Sequence, residues 1–258
     1  MQMVMKSRSK EIQSLLNHIY PDSSVNLVKN LARLQPPEPQ FIWTVNLSHL
    51  RIFLNDSLNF DFFPSNCLLT ADGWPIKYLA NKLSKNKVNR ITGVDLVRLM
   101  LTEDLKFGFV GSNHRQIRKT LMRYSNISEE NISFIHEDRI QVENSHHISQ
   151  IYDLLDKHKP QIVFLALGFP KQEKLFEAMF RYKDPHAGFF LGIGGTFEML
   201  SGEKKRAPLI VQEFRLEWLW RLIQDPMRLS TRYFLDAIFF LQVLLILKID
   251  RMKGLWLN

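Results

Sequence analysis

Several apolar runs in this 258-residue chain end abruptly in polar or glycine-rich residues, and those ends hold the side chains best placed for chemistry. Gln161–Leu167 is followed by Gly168, Phe169 and Pro170, and then by Lys171, Gln172 and Glu173. Phe41–Val45 carries Thr44 and runs into Asn46, while Asn66–Thr70 runs into ADGWP, with Asp72 in a turn before Pro75. Lys106–Val110 runs into GSNHR, and Ala187–Leu191 into GIGGTFE, which holds Gly194 and Gly195. Exposed amides in a turn such as Gly192–Gly195 can cradle a phosphate. In open α/β sheets, ligands bind at the carboxyl ends of the strands. Each stretch also has a structural reading. Asp72-Gly73 is a common turn pair, Gly192–Gly195 suits a tight strand-to-helix connection, and Pro170–Glu173 suits a helix start with Glu173 favoured by the dipole. Their recurrence at successive strand ends points to a single crevice.

The absences narrow the chemistry. No Asp-x-Asp pair, the usual metal-diphosphate ligand of sugar-nucleotide enzymes, occurs in the chain. His146 and His147 are adjacent in a polar stretch and lack metal-site spacing. There is no P-loop, no Gly-x-Ser-x-Gly and no Cys-x-x-Cys. The glycines of GIGG fall short of a dinucleotide fingerprint and do not follow the first strand, which disfavours a nicotinamide-dependent oxidoreductase.

The elements that must position these residues form an alternating series. Strand candidates are Phe41–Asn46, Asn66–Thr70, Lys106–Val110, Ile132–His136, Gln161–Leu167 and Ala187–Leu191. Between them lie helical patterns near His49–Leu58, Pro75–Leu83, Val94–Leu101, Gln116–Tyr124, Ile148–Lys157 and Gln172–Phe180. Such alternation predicts an α/β fold: a Rossmann-like parallel sheet with helices on both faces. Residues 1–40 read as a helical segment closed by the stiff linker PPEP, residues 41–200 as the core, and residues 201–258 as a C-terminal helical appendage.

Composition is that of a globular protein, 45% hydrophobic and 23% charged, with one cysteine, Cys67, and hence no intrachain disulfide. The N-terminus lacks the apolar core of a signal peptide. A net charge of +8 implies an anionic partner. Half of that excess, ten basic against six acidic residues, lies in Glu203–Asn258. The same stretch holds AIFFLQVLLIL, Ala237–Leu247, flanked by Arg228, Arg232, Lys248, Arg251 and Lys253. This run of eleven residues, apolar but for Gln242, is too short to span a bilayer, which takes about 20. The run reads as a helix lying on an anionic membrane surface; the alternative is a helix buried in the core or against a second copy in a homo-oligomer.

TADGWPIKYLANKL with NRITGVDLV, LGFPKQEKL, GIGGTFEMLSGEKKRAP and LEWLWRLIQDPMR, in that order, resemble the WecG/TagA/CpsF family of bacterial glycosyltransferases over about Phe41–Arg232. The resemblance implies an inverting, metal-independent transfer of an N-acetylmannosaminyl, hexosyl or uronosyl group from a UDP-sugar to an undecaprenyl-diphosphate-linked saccharide in cell-surface polysaccharide biosynthesis, with no cofactor and no nucleic acid partner. It implies Asp72 as the catalytic carboxylate, and Thr44, Asn46, Gln172, Lys171 and Glu173 at the substrate. Without a metal, the departing diphosphate needs cations or helix amides. Arg90, Arg206, Arg221 and Arg228, with Gly194 and Gly195, are the candidates. The implied location is the cytoplasm, peripheral on the inner face of the plasma membrane. The rival of another class is a non-catalytic, membrane-associated assembly protein. Loss of Asp72 or Gln172 would mark it, and both residues are present.

Overall fold

The computed structural model describes residues 2–55, 60–83, 87–124, 128–181, 186 and 188–252, with side chains described between 10 and 249. All six expected strands form: β1 Gln40–Val45, β2 Cys67–Ala71, β3 Phe107–Val110, β4 Ile132–His136, β5 Ile162–Leu165 and β6 Phe189–Gly192. They make one parallel sheet in the order β2-β1-β6-β5-β3-β4. Continuous apolar runs are what a parallel sheet covered on both faces requires. In β1, Phe41, Trp43 and Val45 pack into one helical layer while Ile42 packs into the other.

On the first face lie α1 Gln2–Asn17, α3 Leu47–Asn55, α4 Trp74–Leu83, α7 Ser145–His158 and α8 Lys171–Phe180. On the second lie α2 Ser24–Arg33, α5 Gly93–Met100, α6 His114–Tyr124 and α9 Thr196–Leu200. Local chemistry fixes several starts. The Ser23 hydroxyl accepts from Asn26 N at 3.2 Å, the Thr92 hydroxyl from Asp95 N at 3.1 Å, and the Asn144 side chain from His146 N at 2.9 Å. The expected helix at His49–Leu58 ends at Asn55, before residues 56–59, which lie outside the described residues, as does Ala187 of the sixth expected strand.

The N-terminal segment supplies core. Ile12, Leu15, Leu16 and Ile19 of α1 and its following turn are buried against α4, α3 and the last helix. Such a burial contributes about 1.5–3 kcal/mol per side chain.

After β6 the chain is helical: α10 Leu209–Glu213, α11 Glu217–Gln224 and α12 Pro226–Met252. The apolar run lies within α12 and has two faces. Phe239, Val243 and Leu247 join the same core as the sheet, and Phe240 meets Trp74 edge-on at 5.3 Å. Phe234, Leu235, Ile238, Leu241 and Leu245 point outward, as do Leu209 and Ile210 of α10, Phe214 just after it, and Ile223 of α11. Among the described residues no helix is long and apolar enough to cross a membrane. The flanking Lys253, and the side chain of Arg251, lie outside the described residues.

Candidate functional site

Because every strand runs the same way, all six carboxyl ends open on one side of the sheet, and most of the singled-out side chains gather there. Asp72 is the first residue after β2. Its N–H donates to Val45 O at 2.8 Å, which sets it beside the end of β1. Arg90 is bridged to Ala71, and Ile91 N donates to Ala71 O at 3.0 Å, so Arg90 comes alongside Asp72 from the segment before α5. From the appendage, α11 contributes Glu217 and Arg221. Glu217 accepts from Arg90 Nη1 at 3.3 Å and from Arg221 Nη2 at 2.9 Å. Arg206 donates to Asp95 Oδ1 at 3.0 Å, and Asp95 also accepts from the Thr92 hydroxyl at 2.7 Å.

In this setting the Asp72 carboxyl is pushed up to about 6. Burial is the main cause. Arg221 opposes it, Glu217 adds to it, Arg90 opposes it and Asp95 adds to it. A carboxylate ionised at neutral pH but more basic than usual is suited to taking a proton.

A second group organises the glycine turn. The Thr44 hydroxyl donates to Gly192 O at 3.2 Å. Gln172 is buried: its Oε1 accepts from Gly194 N at 3.1 Å and its Nε2 donates to Glu173 Oε1 at 3.0 Å. A Cβ at Gly192 would stand 2.4 Å from Gln172 Nε2, so only glycine leaves room for that amide. Gly194 has φ +49, in the left-handed region. Gln172 thus shapes the turn, and the Gly194 amide is already engaged. Glu173 is fully buried, its Oε2 has no partner, and burial pushes its carboxyl up to about 7.

A third group sits below Asn46. His49 N donates to Asn46 Oδ1 at 3.1 Å, leaving Asn46 Nδ2 to donate to His49 Nε2 at 3.2 Å. The ring stacks on Phe169 at 4.6 Å, and burial, aided by the Arg232 charge, lowers its pKa to about 3. His49 is therefore neutral, with its proton assigned to Nδ1 by these contacts. Arg232 of α12 reaches Asn46 Oδ1 at 3.5 Å and donates to the Ser48 hydroxyl at 2.6 Å. Buried Asp236 accepts from Arg51 Nε at 2.8 Å and from the Ser48 hydroxyl.

Thr44, Asn46, Asp72, Arg90, Gln172, Glu173, Gly194, Gly195, Arg206 and Arg221 all lie at this end of the sheet or on the segments closing it. Lys171 is exposed at the first turn of α8. Arg228 is exposed and paired with Asp225 at 2.6 Å, outside the Asp72 group. GSNHR after β3 opens α6, and its His114 contacts Glu137. The sequence reading passed over Glu217, Asp95 and His49. Only Asp95 had a local signal, the Thr92-x-x-Asp95 capping pattern.

A model of the Glycosyl transferase WecG/TagA/CpsF family matches residues 13–254, nearly the whole chain. The chain belongs to the WecG/TagA/CpsF glycosyltransferase family. That match takes in the N-terminal helices from the last turns of α1 onward, beyond the stretch that the motifs cover. Curated relatives from Staphylococcus aureus strains MW2, NCTC 8325 and COL are each 27% identical over 215 residues, 80% of either chain. Each is named an N-acetylglucosaminyldiphosphoundecaprenol N-acetyl-beta-D-mannosaminyltransferase.

Proposed function

We propose that this glycosyltransferase moves N-acetylmannosamine from a UDP-sugar onto an undecaprenyl-diphosphate-linked N-acetylglucosamine, with inversion and without a metal, in the building of a cell-surface polysaccharide. The relatives' names support the sugar and the acceptor. The observation that carries the chemistry is the half-buried Asp72 at the carboxyl end of the sheet, raised to about 6 by burial against the opposing charges of Arg221 and Arg90.

In this reading the acceptor hydroxyl approaches the face of the sugar opposite the diphosphate. Asp72 takes its proton as the oxygen bonds to the anomeric carbon. The bond from that carbon to the diphosphate oxygen breaks, and UDP leaves with the electron pair. A single displacement inverts the centre and needs no covalent enzyme intermediate. Arg221, Arg206 and Arg90 meet the charge that develops on the leaving group. The Thr44 and Gln172 contacts hold the Gly192–Gly195 turn where the donor phosphates would pass.

The outward apolar side chains of α10, α11 and α12 support a peripheral seat on the inner face of the plasma membrane, where a lipid-linked acceptor is confined. A donor screen tests the whole reading: purified protein, a panel of UDP-sugars, a short-chain diphospholipid-linked N-acetylglucosamine and detection of UDP release in EDTA. Turnover with UDP-N-acetylmannosamine in chelator is expected. Turnover restored only by Mg²⁺ or Mn²⁺ refutes the metal-free mechanism, and turnover with another hexose alone corrects the donor.

A further inference from the structure

The core and the appendage hold each other through two ion pairs of opposite sense. Core Arg90 donates to Glu217 of α11 at 3.3 Å, and Arg206 of the appendage donates to core Asp95 at 3.0 Å. Glu217 is the pivot of the arrangement. Its Oε2 takes Arg90 and its Oε1 takes Arg221, so one carboxylate joins a guanidinium from each part of the molecule. The Glu217 side chain is only 16% exposed, and ion pairs withdrawn from water interact more strongly than surface ones. Arg90 is bridged to Ala71, the residue before Asp72, and the charges of Arg90 and Arg221 both act on the Asp72 carboxyl while Glu217 holds the two guanidiniums.

The groups facing Asp72 are Arg221 and Glu217 from α11, Arg90 from the segment before α5, and Asp95 from α5, while Tyr233 of α12 faces Arg221. Two cations therefore meet two anions. Without Glu217, two guanidiniums would face Asp72 with Asp95 alone to offset them, and a neighbouring cation pulls a carboxyl down by about 1–3 units.

We propose that Glu217 is a positioning residue: it engages Arg90 and Arg221 together and keeps their charges from bearing unopposed on the Asp72 carboxyl. The inference rests on the assignment of Asp72 as the base.

The test follows the Asp72 carboxyl directly in the full-length protein, by carbon-13 NMR titration of aspartate-labelled samples with the Asp72 signal assigned through Asp72→Asn. The wild-type midpoint is expected near about 6. Glu217→Gln should lower it by about one unit or more, a tenfold loss of proton affinity, and Glu217→Asp should restore most of the shift. Arg221→Met probes the same balance with the opposite sign, and should raise the midpoint even if Glu217→Gln fails to fold. The acid limb of kcat/KM with a soluble acceptor should move with the NMR midpoint in Glu217→Gln. An unmoved midpoint in folded Glu217→Gln, as a role for Glu217 in docking alone would give, overturns the proposal, and so does an unmoved midpoint in Arg221→Met. Shifted midpoints in a protein that transfers no sugar would uphold the coupling while removing the base assignment. Transfer with unshifted midpoints would remove the coupling alone.

Discussion

Replacing Glu173 by glutamine should abolish a loss of stability that the wild-type chain suffers as pH rises. Glu173 is fully buried, accepts one hydrogen bond from Gln172 at 3.0 Å, and has an Oε2 with no partner. Its folded-state pKa is raised from 4.5 to about 7 by burial, which the bond from Gln172 only partly offsets. Below pH 4.5 both folded and unfolded chains hold the proton, and the group has no effect on stability. Between 4.5 and about 7 the unfolded chain releases it while the folded chain keeps it, so stability falls as pH rises. Each unit of difference is worth about 1.4 kcal/mol, so the full loss is about 3 kcal/mol and is complete above pH 7. Glutamine cannot titrate, still accepts from Gln172, and fills the same volume. Urea denaturation of wild type and Glu173→Gln at pH 5 and pH 8 reads the effect. The stability advantage of the variant should be about 2.5 kcal/mol larger at pH 8 than at pH 5, since part of the loss has already occurred by pH 5. Asp72, also raised, titrates in both proteins and cancels in the difference. Parallel pH profiles for the two proteins would refute the argument that Glu173 is a desolvated, under-bonded carboxyl.

Asp72→Asn should fold normally and lose about 10² to 10⁴ in turnover, the usual cost of a missing general base; near-normal turnover removes Asp72 from that role. Wild-type kcat/KM should fall about tenfold per pH unit below about 6, where the Asp72 base is protonated, and a flat profile down to pH 5 contradicts it. Asp236→Ala should cost about 3–5 kcal/mol in urea melts, because Arg51 and the Ser48 hydroxyl lose their buried acceptor; a change under about 1 kcal/mol counts against the network. Phe234→Ser with Leu241→Ser, both 66% exposed, should leave the melting temperature unchanged and cut sedimentation with anionic vesicles by about a hundredfold or more. Equal sedimentation would assign that stripe to something other than lipid.

Strands and helices were legible because each depends on a local pattern. Phe41–Val45 is apolar but for Thr44 and Ile162–Leu167 is apolar throughout, and a strand covered on both faces needs little else. The crevice was legible too, since Thr44, Asp72, Gln172 and Gly194 each follow from where a strand stops. Strand order was not, because no local feature of β1 says that β6 pairs with it. The seat of α1 was equally hidden: an amphipathic helix shows that it has a buried face, not which surface covers it. In the sequence Asp236 is only an acidic residue just before the apolar run Ala237–Leu247. Its meaning lies in Arg51, 185 positions earlier. Glu217 reads as an ordinary acidic residue at a helix start until Arg90, 127 positions earlier, comes alongside it.

The pairing of β1 with β6 has a consequence for how the chain is made. Strand β1 leaves the ribosome early, and β2 can cover one of its edges at once. Its other edge waits for Phe189–Gly192, roughly 150 residues later in synthesis. At about 5–20 residues per second that is an interval of about 7–30 s. Throughout it, a run of Phe-Ile-Trp-Thr-Val presents unpaired backbone groups to any strand it meets. The middle of the finished sheet is thus the last place to close, and the nascent chain's exposure to misassembly is set by the order in which its strands emerge.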